Sequence, residues 1–291
     1  MATKGKNGKA PVPARRGAEI ATQDHLPAFM RGKAGQGVET LSSADVEIPR
    51  LQLLQALSPQ VQTGFRQGEF FHSVAEESLG AQVPLTIVYV SLSYILWRPR
   101  KQGGGILARA QDGLHWIPAN QEFKVKLDNG KDVAWKTAPT VAASGLGEWG
   151  SMDPSDASSG PAATRMYNLV VMMPDFKHLS PAVVTLQRSA VKVARKLMGK
   201  LKISQAPVYG MRFVMESVKD KNSVNQEFWN FKFTPDGLVG DEPTFQMYEA
   251  LYERFKAEGV RIRDEMSLQD DHIPDGGASN GETDKKFAGK I

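Results

Sequence analysis

The sequence predicts a β-rich α+β fold, and three stretches carry that prediction. Val83 to Trp97 (VPLTIVYVSLSYILW) is dense in β-branched and aromatic residues, with Val88, Val90, Leu92, Tyr94 and Leu96 on one parity. That is the pattern of two strands or of one long bent strand. Asp128, Asn129 and Gly130 form a tight-turn signal between Glu122–Leu127 and Lys131–Thr137, which predicts a hairpin. Two helical patterns come late, one through the segment after Leu186 and one opened by Pro243.

Taken in order, Met1 to Arg16 holds Lys4, Lys6, Lys9, Arg15 and Arg16 without an acid and with almost nothing to bury. Residues 1–44 therefore read as a disordered basic arm and linker. A folded domain is predicted over 45–266. In DVEIPRLQLLQALSP, Pro49 restricts Ile48 to an extended conformation, as in an edge or irregular strand. Gly68 to Val74 reads as a short strand, and so does His115 to Pro118. Arg98, Arg100, Lys101 and Gly103–Gly105 make a cationic hairpin tip between Val83–Trp97 and Ile106–Ala110. Residues 142–160 are a Gly, Ser, Asp and Pro-rich loop. Strands follow at Met166–Met173 and Ala182–Leu186, and a hairpin joins Val208–Val218 to Phe228–Phe233, closed by Pro235, Asp236 and Gly237. Asp241 and Glu242 precede Pro243 as the positive end of a helix dipole prefers; Tyr248, Leu251, Tyr252 and Phe255 form that helix's apolar stripe, and Gly259 ends it. Residues 267–291 are predicted to be a disordered acidic tail.

The apolar fraction of 41% is ample for a core, and a formal net charge of +4 says little until the charges are located. The absence of cysteine excludes disulfides, thiolate metal sites and Cys nucleophiles. Leu85 to Trp97 is the longest apolar-rich run and is far short of the roughly 20 residues that span a bilayer, so a soluble, intracellular protein without a membrane partner is expected. Gly145, Gly147 and Gly150 spell GxGxxG, but no strand precedes them and no helix follows. The five histidines have no paired ligand spacing, and Ser144 lies in ASGLG, which is not a nucleophile elbow. The expectation is a non-enzyme, with no cofactor and no metal.

The positive evidence is cationic and aromatic. Phe176 to Met215 carries Lys177, Arg188, Lys192, Arg195, Lys196, Lys200, Lys202 and Arg212 with no acid. Within it, Leu186, Ala190, Val193, Ala194, Leu197 and Leu201 recur at helical spacing, with Arg188, Lys192, Arg195 and Lys196 on the opposite side. A solvated helix face usually mixes signs, because like charges at i,i+4 repel. A second acid-free stretch, Leu79 to Gln111, clusters Tyr94, Trp97, Arg98, Arg100 and Lys101 at a strand end. Lys and Arg along a groove with aromatic faces for base stacking is how single strands are held without sequence readout. Taken singly, each aromatic reads as core and each cation as a solvated face; taken together, the two acid-free stretches balance those readings. Trp229, Phe231 and Phe233 share one parity and are either core or a stacking platform.

The stretches DVEIPRLQLLQALSP, GEFFHS, YILWRPR, GGGILARA and SPAVVTLQRSAVKVARKL resemble those of a group of tailed-bacteriophage proteins, some associated with single-stranded DNA binding in replication and recombination. The resemblance implies an OB-like barrel or an elaborated relative of one. It also implies single-stranded DNA and phage replication or recombination proteins as partners, a homo-oligomer as one possible form, and the host cytoplasm as the location. Asp270, Asp271, His272, Ile273 and Pro274 are similar to the acidic, Ile-Pro-containing tips of bacterial single-strand binders, although those tips end their chains and this chain runs on to Ile291. The expected site comprises Tyr94, Trp97, Arg98, Arg100 and Lys101 at one rim and Arg188, Lys192, Arg195, Lys196 and Lys200 along the backbone track. The alternative is a structural or scaffolding protein of the virion or of a replication complex.

Overall fold

The computed structural model describes residues 48–222 and 225–258. The predicted basic arm and linker, the acidic tail and the helix stop at Gly259 lie outside the described residues. The elements run β1 (Leu51–Leu53), α1 (Pro59–Gln62), β2 (Phe70–His72), β3 (Glu77–Ser78), β4 (Gln82–Trp97), β5 (Ile106–Ala110), β6 (Glu122–Lys126), β7 (Asp132–Lys136), α2 (Val141–Ser144), β8 (Ala163–Met172), β9 (Ala182–Gln187), α3 (Val191–Ser204), β10 (Met211–Lys221), β11 (Glu227–Leu238) and α4 (Glu242–Glu258). The fold is α+β and rich in strand, as the sequence predicts.

β4 is the spine. Antiparallel strands assemble around it in the order β11-β10-β4-β8-β9, with β5 added at its far end. Both of its faces are covered, which is why the run reads as almost continuously apolar rather than as a simple alternation. Val83, Leu85 and Ile87 face a core shared with Leu169, Val171, Leu186 and the α3 residues Ala194 and Leu197. Val88 faces the other way, toward Val170, Val183 and the α4 residue Tyr248. The register with β8 shifts between Ile87 and Tyr89, so Val90 returns to the α3 side. This bulge breaks the single parity expected for Val88 to Leu96, because one extra residue exchanges the two faces. Beyond it, Tyr94 and Leu96 enter a third cluster with Trp116, Trp135 and Leu146, roofed by the β6–β7 hairpin.

The small sheet of β1, β2 and β3 supplies the closing piece. At one end, Arg50 makes a parallel bridge to Val183, and the Val183 N–H donates to the Pro49 carbonyl at 2.7 Å. At the other end, the Gln55 side chain reaches Trp229: its Nε2 donates to the Trp229 carbonyl and its Oε1 accepts from the Trp229 N–H, both at 2.9 Å. β9 and β11 are the two edges of the main sheet, so a strand of three residues that touches both requires the sheet to curl upon itself.

Several boundaries differ from the sequence expectation. His115 to Pro118 is not a strand; it makes isolated bridges, Arg109 to Ile117 and His115 to Thr140, while Trp116 turns inward to the third cluster. β11 continues through Pro235 and Asp236 instead of stopping before them, and a register shift between Met211 and Phe213 absorbs the irregularity. A proline is tolerated there because the outer edge of β11 needs no donor at that point. The helix after β9 begins at Val191, with Arg188–Ala190 forming a preceding 3-10 turn, so Leu186, which the sequence places both in the strand and at the start of the helical pattern, belongs to the strand.

Candidate functional site

α3 lies across the curled sheet with Ala194 and Leu197 buried and Val193, Met198 and Leu201 partly buried against the core. The predicted two-faced pattern is realised from Val191 onward. On its outer side Lys192, Arg195, Lys196 and Lys202 are exposed. Arg195, Lys196 and Lys202 make no ion pair among the described residues. Lys192 acts on Asp220 of β10, whose carboxyl is held below its usual range chiefly by the Asn230 amide and the Lys221 N–H, with the Lys192 charge adding to them. Lys200 is a structural residue, because its Nζ donates to the Phe233 carbonyl at 2.8 Å and so ties α3 to β11. Arg188 sits before the helix, on the 3-10 turn, with φ at 51°.

The other predicted rim is at the end of β4. Tyr94 is buried at 6% exposure; its hydroxyl accepts from the Arg165 Nε at 2.7 Å, and the guanidinium lies 5.3 Å from its ring centroid. Its ring faces are therefore occupied by protein. Trp97 is half-buried, with an indole N–H that is buried without a partner. Arg98 and Arg100 are exposed, and the Lys101 Nζ donates to the Asp128 carbonyl at the tip of the β6–β7 hairpin. The register separates this tip from most of α3. Lys200 holds Phe233, which lies opposite Met215, which lies opposite Val83 at the start of β4, whereas Trp97 is at its end. The strand between can span up to about 45 Å. The two rims are not two walls of one groove; only the Arg188 end of the cationic segment approaches the level of the tip, since Gln187 pairs with Met166 and Met166 with Ser93.

What the fold does build beside Arg188 is a cleft of about 720 Å³. One wall is the outer face of β8 and β9, with Met166, Asn168, Thr185 and Gln187; the other comprises Arg50 to Leu57 and the first half of β11, from Glu227 to Phe231. Carboxamides dominate its polar surface. Asn168 is fixed between Ser93 and Thr185, at 2.9 and 3.0 Å. Asn222 and Gln226 bond each other, and Asn230 bonds Asp220. The Oε1 atoms of Gln52 and Gln187 are buried with no partner, a state that costs about 1–3 kcal/mol per group in a folded protein. The acid on the lining is Glu227, which faces Lys219 and Lys221 at 3.8 and 3.9 Å.

Phe233 is core, whereas Trp229 and Phe231 are partly buried and also line the cleft. Phe233 is buried and the other two pack against the α3-side cluster. The Trp229 ring lies over Gly68, where φ is +83° and a Cβ would come within 2.7 Å of it, while the Lys219 ammonium is 5.6 Å from its centroid. Of the cleft lining, sequence reasoning singled out Arg188, Trp229 and Phe231 and missed the carboxamides. The Leu51-Gln52-Leu53 alternation marks Gln52 as pointing away from the core, but nothing local connects it to Gln187.

Among the described residues no group of His, Asp or Glu could hold a metal ion, and no helix is long and apolar enough to cross a membrane. No curated protein and no solved structure matches the chain. A family model described as Pam3 phage gp34-like protein matches residues 19–261, which include every described element. The chain belongs to this phage protein family.

Proposed function

We propose that this phage protein binds single-stranded DNA, in support of replication or recombination and without catalysis, on a curled sheet of elaborated OB type. The observation that carries the reading is the outer row of α3. Arg195, Lys196 and Lys202 stand exposed without an acid paired to them among the described residues, next to Lys192 and downstream of Arg188. Cations in a row on a rigid helix suit a phosphate backbone, whose neutralisation releases counterions. The cleft beside Arg188 adds polar and aromatic surface where the track meets the sheet. In this reading Tyr94 and Lys200 support the scaffold, and the Trp97 tip lies at the far end of β4, outside the track.

A fluorescence titration with oligo-dT across a range of salt concentrations tests the proposal. With about five phosphates neutralised, log affinity falls against log salt with a slope of about −3.5. Replacing Lys192, Arg195 and Lys196 together by Gln makes the slope shallower by about 2, because three contacts are removed. No binding at low salt overturns the function; an unchanged slope in the folded triple variant removes α3 as the track.

A further inference from the structure

The tip between β4 and β5 carries charge and aromatic surface that the α3 track does not use. It is an ordered turn. The Arg98 N–H donates to the Gly105 carbonyl at 2.8 Å, the Gln102 N–H to that of Pro99 at 2.9 Å and the Gly103 N–H to that of Arg100 at 3.0 Å. Gly103, Gly104 and Gly105 have φ of 91°, 64° and 94°, where any side chain is strained. The chain thus reverses over bare backbone, and Arg98, Arg100 and Lys101 stand exposed beside it. Arg98 makes no ion pair among the described residues.

The Lys101 Nζ, on the Asp128 carbonyl, joins the tip to the turn of the β6–β7 hairpin. The two pieces joined there, residues 98–105 and 122–136, hold seven Lys and Arg against three Asp and Glu. Asp153, which reaches them from the loop after α2, is taken up by Lys131 at 2.7 Å. The excess on this end of the molecule is therefore positive.

An aromatic face belongs to the same end. Trp149 is 75% exposed, which is unusual for so large an apolar ring. Its loop is pinned close to the tip: the Leu146 carbonyl accepts from the Ala163 N–H at 2.9 Å, and the Ser151 hydroxyl accepts from the Ala162 N–H at 3.0 Å. Ala163 in turn lies opposite Leu96, the neighbour of Trp97. Exposed cations near an uncovered indole offer a single strand both of its needs, charge for the phosphates and a ring on which a base can stack. An acidic peptide would satisfy the cations and leave the indole in water. Because β4 runs between this end and most of α3, a short segment held on the α3 track leaves the tip empty.

We infer that the far end of β4 is a second single-strand site, in which Arg98, Arg100 and Lys101 take phosphates and Trp149 stacks a base, so that one molecule bridges two strands. This rests on the single-strand reading of α3 and adds a function to it. Two sites on one rigid sheet hold their strands at an effective concentration far above that of free strands in dilute solution.

The experiment titrates the full chain at low salt with oligo-dT of about six nucleotides, within the 4–16 that one single-strand site covers. The wild-type protein is expected to bind two per chain. The double variant Arg98→Gln, Arg100→Gln binds one, with the affinity of the remaining site within about twofold of its wild-type value. Trp149→Ala weakens the second site by about fivefold or more, the loss of one stacked base. A surface-fixed oligo-dT captures a labelled second oligo-dT through the wild-type protein and not through the double variant. All three replaced side chains are exposed, so wild-type melting curves are expected. One oligonucleotide per chain in the wild-type protein overturns the second site and leaves the proposed function standing. Two per chain, with undiminished affinity, in both folded variants does the same. A tip that takes polyglutamate and no oligo-dT is a surface for an acidic protein, which also overturns the inference. Failure to bind any oligo-dT overturns the proposed function and the second site together.

Discussion

His72 shows how much of this chain's polar chemistry is directed at holding loops together. The ring is buried in β2; its Nδ1 accepts from the Ala75 N–H at 3.0 Å, and its Nε2 donates to the Leu179 carbonyl at 3.2 Å. That pair of bonds needs the neutral imidazole, with the proton on Nε2. Burial pushes the His72 pKa below its ordinary 6.5; the Leu179 carbonyl opposes the shift and the charge of nearby His178 adds to it. In the unfolded chain the same ring takes up a proton near 6.5, so below that pH the unfolded state binds more protons than the folded one. The contribution to stability is complete above 6.5 and is lost as pH falls through the lower folded value. Urea midpoints measured from about pH 7.5 downward should fall first in this window, before the carboxylates titrate, and His72→Gln should flatten that part of the curve. A wild-type curve already flat there shows that the ring is not held neutral. The histidine was visible in the sequence, but its role was not, because Leu179 comes from a distant segment that only the fold brings to it.

At the scale of elements, the clearest sequence signals were those whose cause is local. The turn at Asp128–Gly130 does join β6 to β7, and Pro243 does open α4. Asp241 proves to be the cap of α4: its Oδ1 accepts from the Thr244 N–H at 2.8 Å and its carbonyl accepts from the Phe245 N–H. The Thr244 bonds hold its carboxyl below the usual range. Asp241→Ala should cost about 1 kcal/mol by urea unfolding, and Asp241→Asn clearly less, because the amide oxygen keeps the cap; equal losses would point to charge instead. The helix α3 was legible in its periodicity, but that pattern ran back into β9. Leu186 fits both periods: it is the last inward residue of the strand and falls one turn before Ala190. Period alone cannot separate a strand that feeds a helix on the same core face. The exchange of faces at the β4 bulge was illegible for a related reason. An extra residue leaves no mark in an apolar run that is buried on both sides.

At the scale of the whole molecule, the chain closes on itself through contacts far apart in sequence, and these lie beyond any window of local pattern. The cationic row could be read in the chain because its residues are neighbours on one helix. The cleft could not, because Gln52, Gln187 and Phe228 meet only once β1 has reached both edges of the sheet. The distance of the Trp97 tip from α3 was hidden in the same way, since it depends on register across β4, β10 and β11. The closure also bears on how the molecule moves. At Trp229 the place of a neighbouring strand is taken by the amide of Gln55, so on that side the backbone is held by one side chain, beside the packing of Trp229 on Gly68 and of Phe231 on Phe70, and not by a ladder of backbone pairs. A rotamer can turn without unzipping its neighbours, and such local openings occur with far lower free energy than global unfolding. Deuterium should therefore enter at the Trp229 amide well before the paired amides of Val214 and Thr234, and Gln55→Ala should speed its entry at Trp229 while leaving the β4–β8 amides unchanged. Equal protection at all these positions would mean that the joint does not open alone. If it does, the wall of the cleft is also its hinge, and the protein can breathe at the cleft without loosening its core.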